Sequence, residues 1–100
     1  MRPNQTNFVP WGTPITANGF IKEIKPSDAF ASVIIMNVGD VPLYLWTYYK
    51  IEAGGSFSLQ ADQTAFLSLS KVPVSFATGT SGINPKLVVL AEKVSRNTSI

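Results

Sequence analysis

Polar and apolar residues alternate most plainly in Ser56-Phe57-Ser58-Leu59-Gln60-Ala61, where every odd-numbered position is apolar and every even-numbered one is polar. That period of two is a strand with one buried and one wet face. Phe66-Leu67-Ser68-Leu69-Ser70 repeats it, with the odd positions again predicted to look inward. Two other runs, Ala31-Ser32-Val33-Ile34-Ile35-Met36 and Leu87-Val88-Val89-Leu90-Ala91, are apolar on both faces and predict central strands whose outer surface is also covered.

Between these runs the chain is punctuated by Gly, Pro, Asn and Asp at the spacing of a sandwich or barrel. The pattern predicts about seven strands, near 19–25, 30–37, 42–51, 55–60, 64–70, 73–78 and 86–94. Pro26-Ser27-Asp28 predicts a turn, because Pro presets φ and Asp can bond its own backbone. Gly39-Asp40 predicts a hairpin with a type II′ turn, and Ala53-Gly54-Gly55 ends the longest strand, so Gly39 or Gly54 is expected at positive φ. Thr78 to Gly82 reads as the most flexible loop, and no run predicts a helix of three turns. Ile34, Leu45, Phe57, Leu67 and Val89 are the expected core.

Residues 1–19 differ from the rest. Pro3, Pro10, Pro14, Gly12 and Gly19 exclude a helix and favour an extended path. Phe8, Val9 and Trp11 are too apolar for a solvated tail, so this segment is read as an arm that docks on its own sheet edge or, as the preferred expectation, on another chain. The organisation expected is therefore an arm over 1–19 and one antiparallel β-sandwich domain over 20–100, jelly-roll or Ig-like in topology.

Composition narrows the function. At 100 residues the chain holds one hydrophobic core, and only 14% of it is charged, well below the roughly 25% of an average soluble domain, which leaves a neutral surface suited to subunit contacts and a homo-oligomer. The six Lys and two Arg are scattered without a run, which argues against a nucleic-acid footprint. Cys and His are absent, so disulfides, the commonest metal ligand and the commonest general base are all missing. Each of the six carboxylates falls at a turn or strand end or alternates outward, and the expectation is a non-enzymatic protein with no cofactor and no metal site. The N-terminus carries no apolar run of signal-peptide length, and no stretch has the ~20 apolar residues that cross a bilayer.

The one suggestive cluster is Tyr44-Leu45-Trp46-Thr47-Tyr48-Tyr49. On a strand, Tyr44, Trp46 and Tyr48 share one face while Leu43, Leu45 and Ile51 share the other. Such a row fits outer core packing, a protein interface, or a platform for stacking sugar rings or nucleic-acid bases. Phe8, Val9, Trp11, Tyr44, Trp46 and Tyr48 are accordingly the candidate interface residues.

Asn37-Val38-Gly39-Asp40-Val41-Pro42-Leu43-Tyr44-Leu45, followed by Ile51-Glu52-Ala53-Gly54-Gly55-Ser56-Phe57-Ser58-Leu59, resembles a pattern in small β-sandwich virion proteins of bacterial viruses. The resemblance implies a multimeric capsid decoration, cement, vertex or tail-associated subunit with an N-terminal arm. Its partners would be itself and a capsid or other virion protein, and its location the virion, assembled in the host cytoplasm. It carries over no catalytic or ligand residues. The alternative is a carbohydrate-binding or adhesin-like module using the aromatic row.

Overall fold

The computed structural model describes the backbone of residues 4–61 and 66–96. Eight strands form two antiparallel four-stranded sheets. The strands are β1 (Asn4–Pro10), β2 (Gly19–Ile21), β3 (Phe30–Asn37), β4 (Leu43–Leu45), β5 (Tyr49–Ile51), β6 (Ser56–Gln60), β7 (Val72–Phe76) and β8 (Leu87–Arg96). One sheet, sheet A, has the order β1-β8-β3-β6; the other, sheet B, has the order β2-β7-β4-β5. Strand pairs are nested: β4 with β5, β3 with β6, β2 with β7 and β1 with β8. The chain is thus one long antiparallel ribbon folded over on itself, closed by β3 against β8 and β4 against β7.

The core lies between the sheets. Val33, Ile35, Leu87, Val89 and Ala91 enter it from sheet A, and Ile21, Leu43, Leu45, Ile51, Val72 and Val74 from sheet B. Of the expected core, Leu45, Leu67 and Val89 are buried, while Ile34 and Phe57 are half-buried. Ile34 lies on the outer face of sheet A because β3 buries its odd positions, Val33 and Ile35. A run apolar on both faces carries no phase, so its neighbours in the sheet decide which side turns in.

Several expected elements change. The strand expected over 42–51 is two short strands broken at Trp46-Thr47-Tyr48. The strand expected over 64–70 begins outside the described residues, and within 66–70 only Leu69 makes a bridge, to Ile24. Pro26–Asp28 is the expected turn, wound as one 3-10 turn whose Asp28 carboxylate accepts the Lys25 N–H at 2.8 Å. Gly54 has the expected positive φ of 82°. Gly39 does not, and it forms no hairpin, because β3 and β4 belong to different sheets.

Gly39 is instead required by crowding: a Cβ there would stand 2.1 Å from the Asn84 carbonyl oxygen and 2.6 Å from the Lys86 nitrogen. That contact pins the 77–86 loop. Val38 and Gly39 both donate to the Lys86 carbonyl, Asp40 donates to the Asn84 carbonyl at 3.1 Å, and the Asn84 N–H returns to the Asp40 carboxylate at 2.7 Å. The loop expected to be freest is anchored at its C-terminal end.

The arm is also corrected. Residues 1–3 lie outside the described residues, but from Asn4 to Pro10 the segment pairs with its own β8, from Asn4 opposite Arg96 to Pro10 opposite Leu90. Beyond it, Trp11 donates to the Val89 carbonyl and Ile15 bridges Leu87. The docking surface preferred from sequence was another chain; the structure uses the chain's own sheet edge. Leu87, Val89 and Ala91 offered an open backbone ladder at no loss of translational freedom, which a separate chain would have to surrender.

Candidate functional site

Two surfaces carry the candidate residues. The first is the outer face of sheet A. Its pleat places Ile34 and Met36 of β3 beside Leu90 and Val88 of β8, with Phe8 of β1 at the margin opposite Glu92. Phe8 is 47% exposed, and the four aliphatic side chains are half-buried, so this is an apolar band open to solvent. Its polar border is Ser56, Ser58 and Gln60 on one side and the bond between the Ser32 hydroxyl and the Glu92 carboxylate at one end. Phe8 thereby takes the outward place expected of an interface residue. Val9, its neighbour, turns inward and packs on the core.

Trp11 is also spent within the chain. Its ring meets Phe30 edge-on at 4.9 Å between centroids, its indole N–H donates to the Lys22 carbonyl at 3.1 Å, and the Lys22 ammonium sits 4.3 Å above the ring. Together with Gly12, Thr13 and Phe20 it borders a cleft of about 260 Å³, smaller than the pockets that usually hold small ligands.

The second surface is the β4–β5 hairpin. Leu43, Leu45 and Ile51 face the core as the alternation predicts. The predicted row of Tyr44, Trp46 and Tyr48 does not form, because β4 ends at Leu45. The Tyr48 N–H closes a turn onto the Leu45 carbonyl at 3.1 Å, with both central residues, Trp46 and Thr47, at positive φ (52° and 68°). That is the sense of a two-residue type I′ turn, which normally takes Asn or Gly; a Trp there is a strained conformation held by its surroundings. The holding contacts are visible. Trp46 meets Phe57 of sheet A edge-on at 5.9 Å, and Tyr49 packs on the same Phe57 at 4.5 Å.

The turn thus bends the indole away from Tyr44 to close the open side of the sandwich between β5 and β6. Tyr48 stacks on the indole at 6.3 Å and remains 77% exposed, the single ring of the predicted row left free. Tyr44 stays on the outer face of sheet B, opposite Lys50. Lys50 pairs with Glu52 at 3.2 Å, and the hydrogen bond and charge of that carboxylate hold its pKa above the ordinary lysine value. Phe57, expected only as core, and Tyr49 were not singled out from sequence as site residues, and the strained turn was not foreseen; no glycine or asparagine marks it.

Behind these surfaces is one buried polar hub. Asn37, 1% exposed, sits where the chain leaves sheet A for sheet B, donating to the carbonyls of Val41 (2.9 Å) and Ile51 (3.1 Å) and accepting from the Gly39 N–H at 3.2 Å. Its backbone bonds Gly54 and Gly55. The two runs behind the virion-protein resemblance, around Asn37 and around Gly54, are therefore joined in space by this residue, and what they encode is the sheet crossover. Among the described residues no three metal-ligating side chains come together, and no helix is long and apolar enough to cross a membrane. No protein-family model, curated protein or solved structure matches this chain.

Proposed function

We propose that the protein is a non-enzymatic structural subunit of a virion, associated with the capsid or tail, that assembles through its sheet surfaces. The observation that carries this reading is the apolar band of Ile34, Met36, Val88 and Leu90 on the outer face of sheet A, with Phe8 beside it, because a chain this small gains from burying such a face against another subunit. The nested strand pairing adds support. It favours the jelly-roll alternative over the Ig-like one, and double-sheet jelly rolls recur in viral capsid proteins as well as in lectins. Fold alone does not assign function, so the surface bears the argument.

The test is incorporation. Ile34→Asp and Leu90→Asp place a charge on the outer face without touching the inward ladder, and each variant should stay folded by circular dichroism yet fail to co-purify with assembled particles. Folded variants that incorporate like the wild type would remove the basis of the proposal. The carbohydrate-binding reading keeps one specific support, the exposed Tyr48 ring stacked on Trp46. Saturable glycan binding that is lost in Tyr48→Ala would put it first.

A further inference from the structure

Sheets are defended at their edges, since an open ladder invites another strand. Three of the four edges here are blunted. In sheet B, β2 and β5 are three residues long, with Lys22 and Glu23 directly after the first and Lys50 within the second. In sheet A, β1 is longer, but the Trp11 bond to Val89 fixes its phase: odd residues bond β8, and even residues point their backbone groups outward. Pro10 therefore stands at an outward position, where its missing N–H costs the chain's own ladder nothing and removes a donor from the edge.

The fourth edge, β6, shows no such device among the described residues. It is five residues long and contains no charge and no proline. Its phase is also fixed. Asn37 donates to the Gly55 carbonyl and Ala61 to the Ala31 carbonyl, with Phe57 opposite Ile35 and Leu59 opposite Val33 between them. Bonded pairs alternate with non-bonded ones along an antiparallel ladder, so Ser56, Ser58 and Gln60 aim their N–H and C=O groups away from β3. No hydrogen bond among the described residues reaches those groups.

We infer that β6 is the site of self-association, pairing antiparallel with β6 of a second copy about a two-fold axis at Ser58. This names the self-contact of the subunit proposed above and rests on that reading for its setting. The second copy is the occupant because the strand is self-complementary in one register. With Ser58 opposite the partner copy's Ser58, Ser56 falls opposite Gln60 and Phe57 opposite Leu59, so all five residues pair. Every outward N–H and C=O then meets an outward group. The same register keeps both apolar residues on the core side, whereas a slip of one residue would set outward groups against inward ones and apolar side chains against polar. Two four-stranded sheets become one of eight strands, the two apolar outer bands become continuous, and the rims formed by Trp46, Tyr49 and Phe57 come together. Closed two-fold contacts of this kind are the commonest form of protein self-association.

The experiment copies the protein's own device. Ser58→Pro removes the outward N–H and leaves the bonds to β3 in place, as Pro10 does in β1. Sedimentation equilibrium of the full chain should give a dimer, and Ser58→Pro should weaken it by at least about tenfold with the circular dichroism spectrum retained. Ser58→Lys, which leaves the backbone unrestricted and sets like charges face to face, serves as the second variant. The chain lacks cysteine, so Ser58→Cys supplies a unique thiol. Directly opposed bonded residues lie about 5.5 Å apart at Cα, within disulfide range, so mild oxidation should yield a covalent dimer. Ser56→Cys should not, since its two copies lie about 13 Å apart along the strands. An oligomer that survives both Ser58→Pro and Ser58→Lys, or crosslinks equally well through Ser56→Cys, overturns the β6 contact and leaves the assembly reading standing. So does a wild-type monomer that still binds particles; a monomer that binds none overturns both.

Discussion

Converting Asn37 to Asp replaces one atom of a buried side chain and tests whether the sheet crossover depends on hydrogen-bond polarity rather than on shape. In the wild type the Asn37 amide donates to the carbonyls of Val41 and Ile51. An ionised Asp has no proton to give, so two buried carbonyls lose their donor and an oxygen now faces them. Each unsatisfied buried group costs about 1–3 kcal/mol, and burying an unpaired charge adds more. Protonation of the new carboxyl, favoured by burial, limits the loss, because the acid can donate one bond again. The expected destabilisation is about 3–5 kcal/mol at neutral pH, a large share of the 5–15 kcal/mol typical of a domain. It should shrink on acidification: the folded-state pKa of the new carboxyl is raised, so the penalty is present above that pKa and fades as pH falls through it. Urea unfolding followed by tryptophan fluorescence, run in parallel on both proteins across the acid range, measures the difference. A loss below about 1 kcal/mol at neutral pH, or one that does not change with pH, would refute the account of Asn37 as a donor hub.

Other outcomes follow from the packing. Gly39→Ala should destabilise by more than Gly54→Ala, since the first drives a Cβ into backbone at 2.1 Å while the second meets open space and bears only the strain of φ 82°, about 1 kcal/mol; thermal melts of the two variants compare them directly. Ile35→Ala should cost about 2–5 kcal/mol and Ile34→Ala markedly less, because the first leaves a cavity between the sheets and the second trims a half-exposed side chain; equal losses in urea titrations would contradict the phase of β3. Deleting residues 1–10 should unfold or strongly destabilise the protein rather than merely release a partner, as it strips β8 of its pairing along β1, and circular dichroism reports the lost β spectrum. The Lys50–Glu52 pair is solvent-exposed, and its raised lysine pKa means that any stability it supplies is fully present at neutral pH and disappears only as pH rises through that pKa; melting temperatures of Lys50→Met and wild type should converge in strong alkali.

The sequence by itself determined the class of the protein and much of its inward face. Alternation in Ser56–Gln60 and the spacing of Leu43, Leu45 and Ile51 place apolar residues on one side of a strand wherever it later pairs, because the period of two is a property of the extended backbone alone. The proline-rich start was legible as extended for the same local reason. What the tertiary structure decided is everything that depends on which surfaces meet. The run Val33-Ile34-Ile35-Met36 is apolar at every position, so only pairing with β6 and β8 could select Val33 and Ile35 for the core and leave Ile34 and Met36 on the outer band. Trp46 and Thr47 have no local preference for positive φ, and it is the contact of the indole with Phe57, eleven residues on and in the other sheet, that holds the turn and dissolves the expected aromatic row. Gly39 reads as a turn glycine from its neighbours, yet its need is for space beside Asn84 and Lys86, residues far along the chain. The arm's partner was decided the same way: an extended segment is a local outcome, but which ladder completes it depends on the edge that the folded chain leaves open, and here that edge is β8.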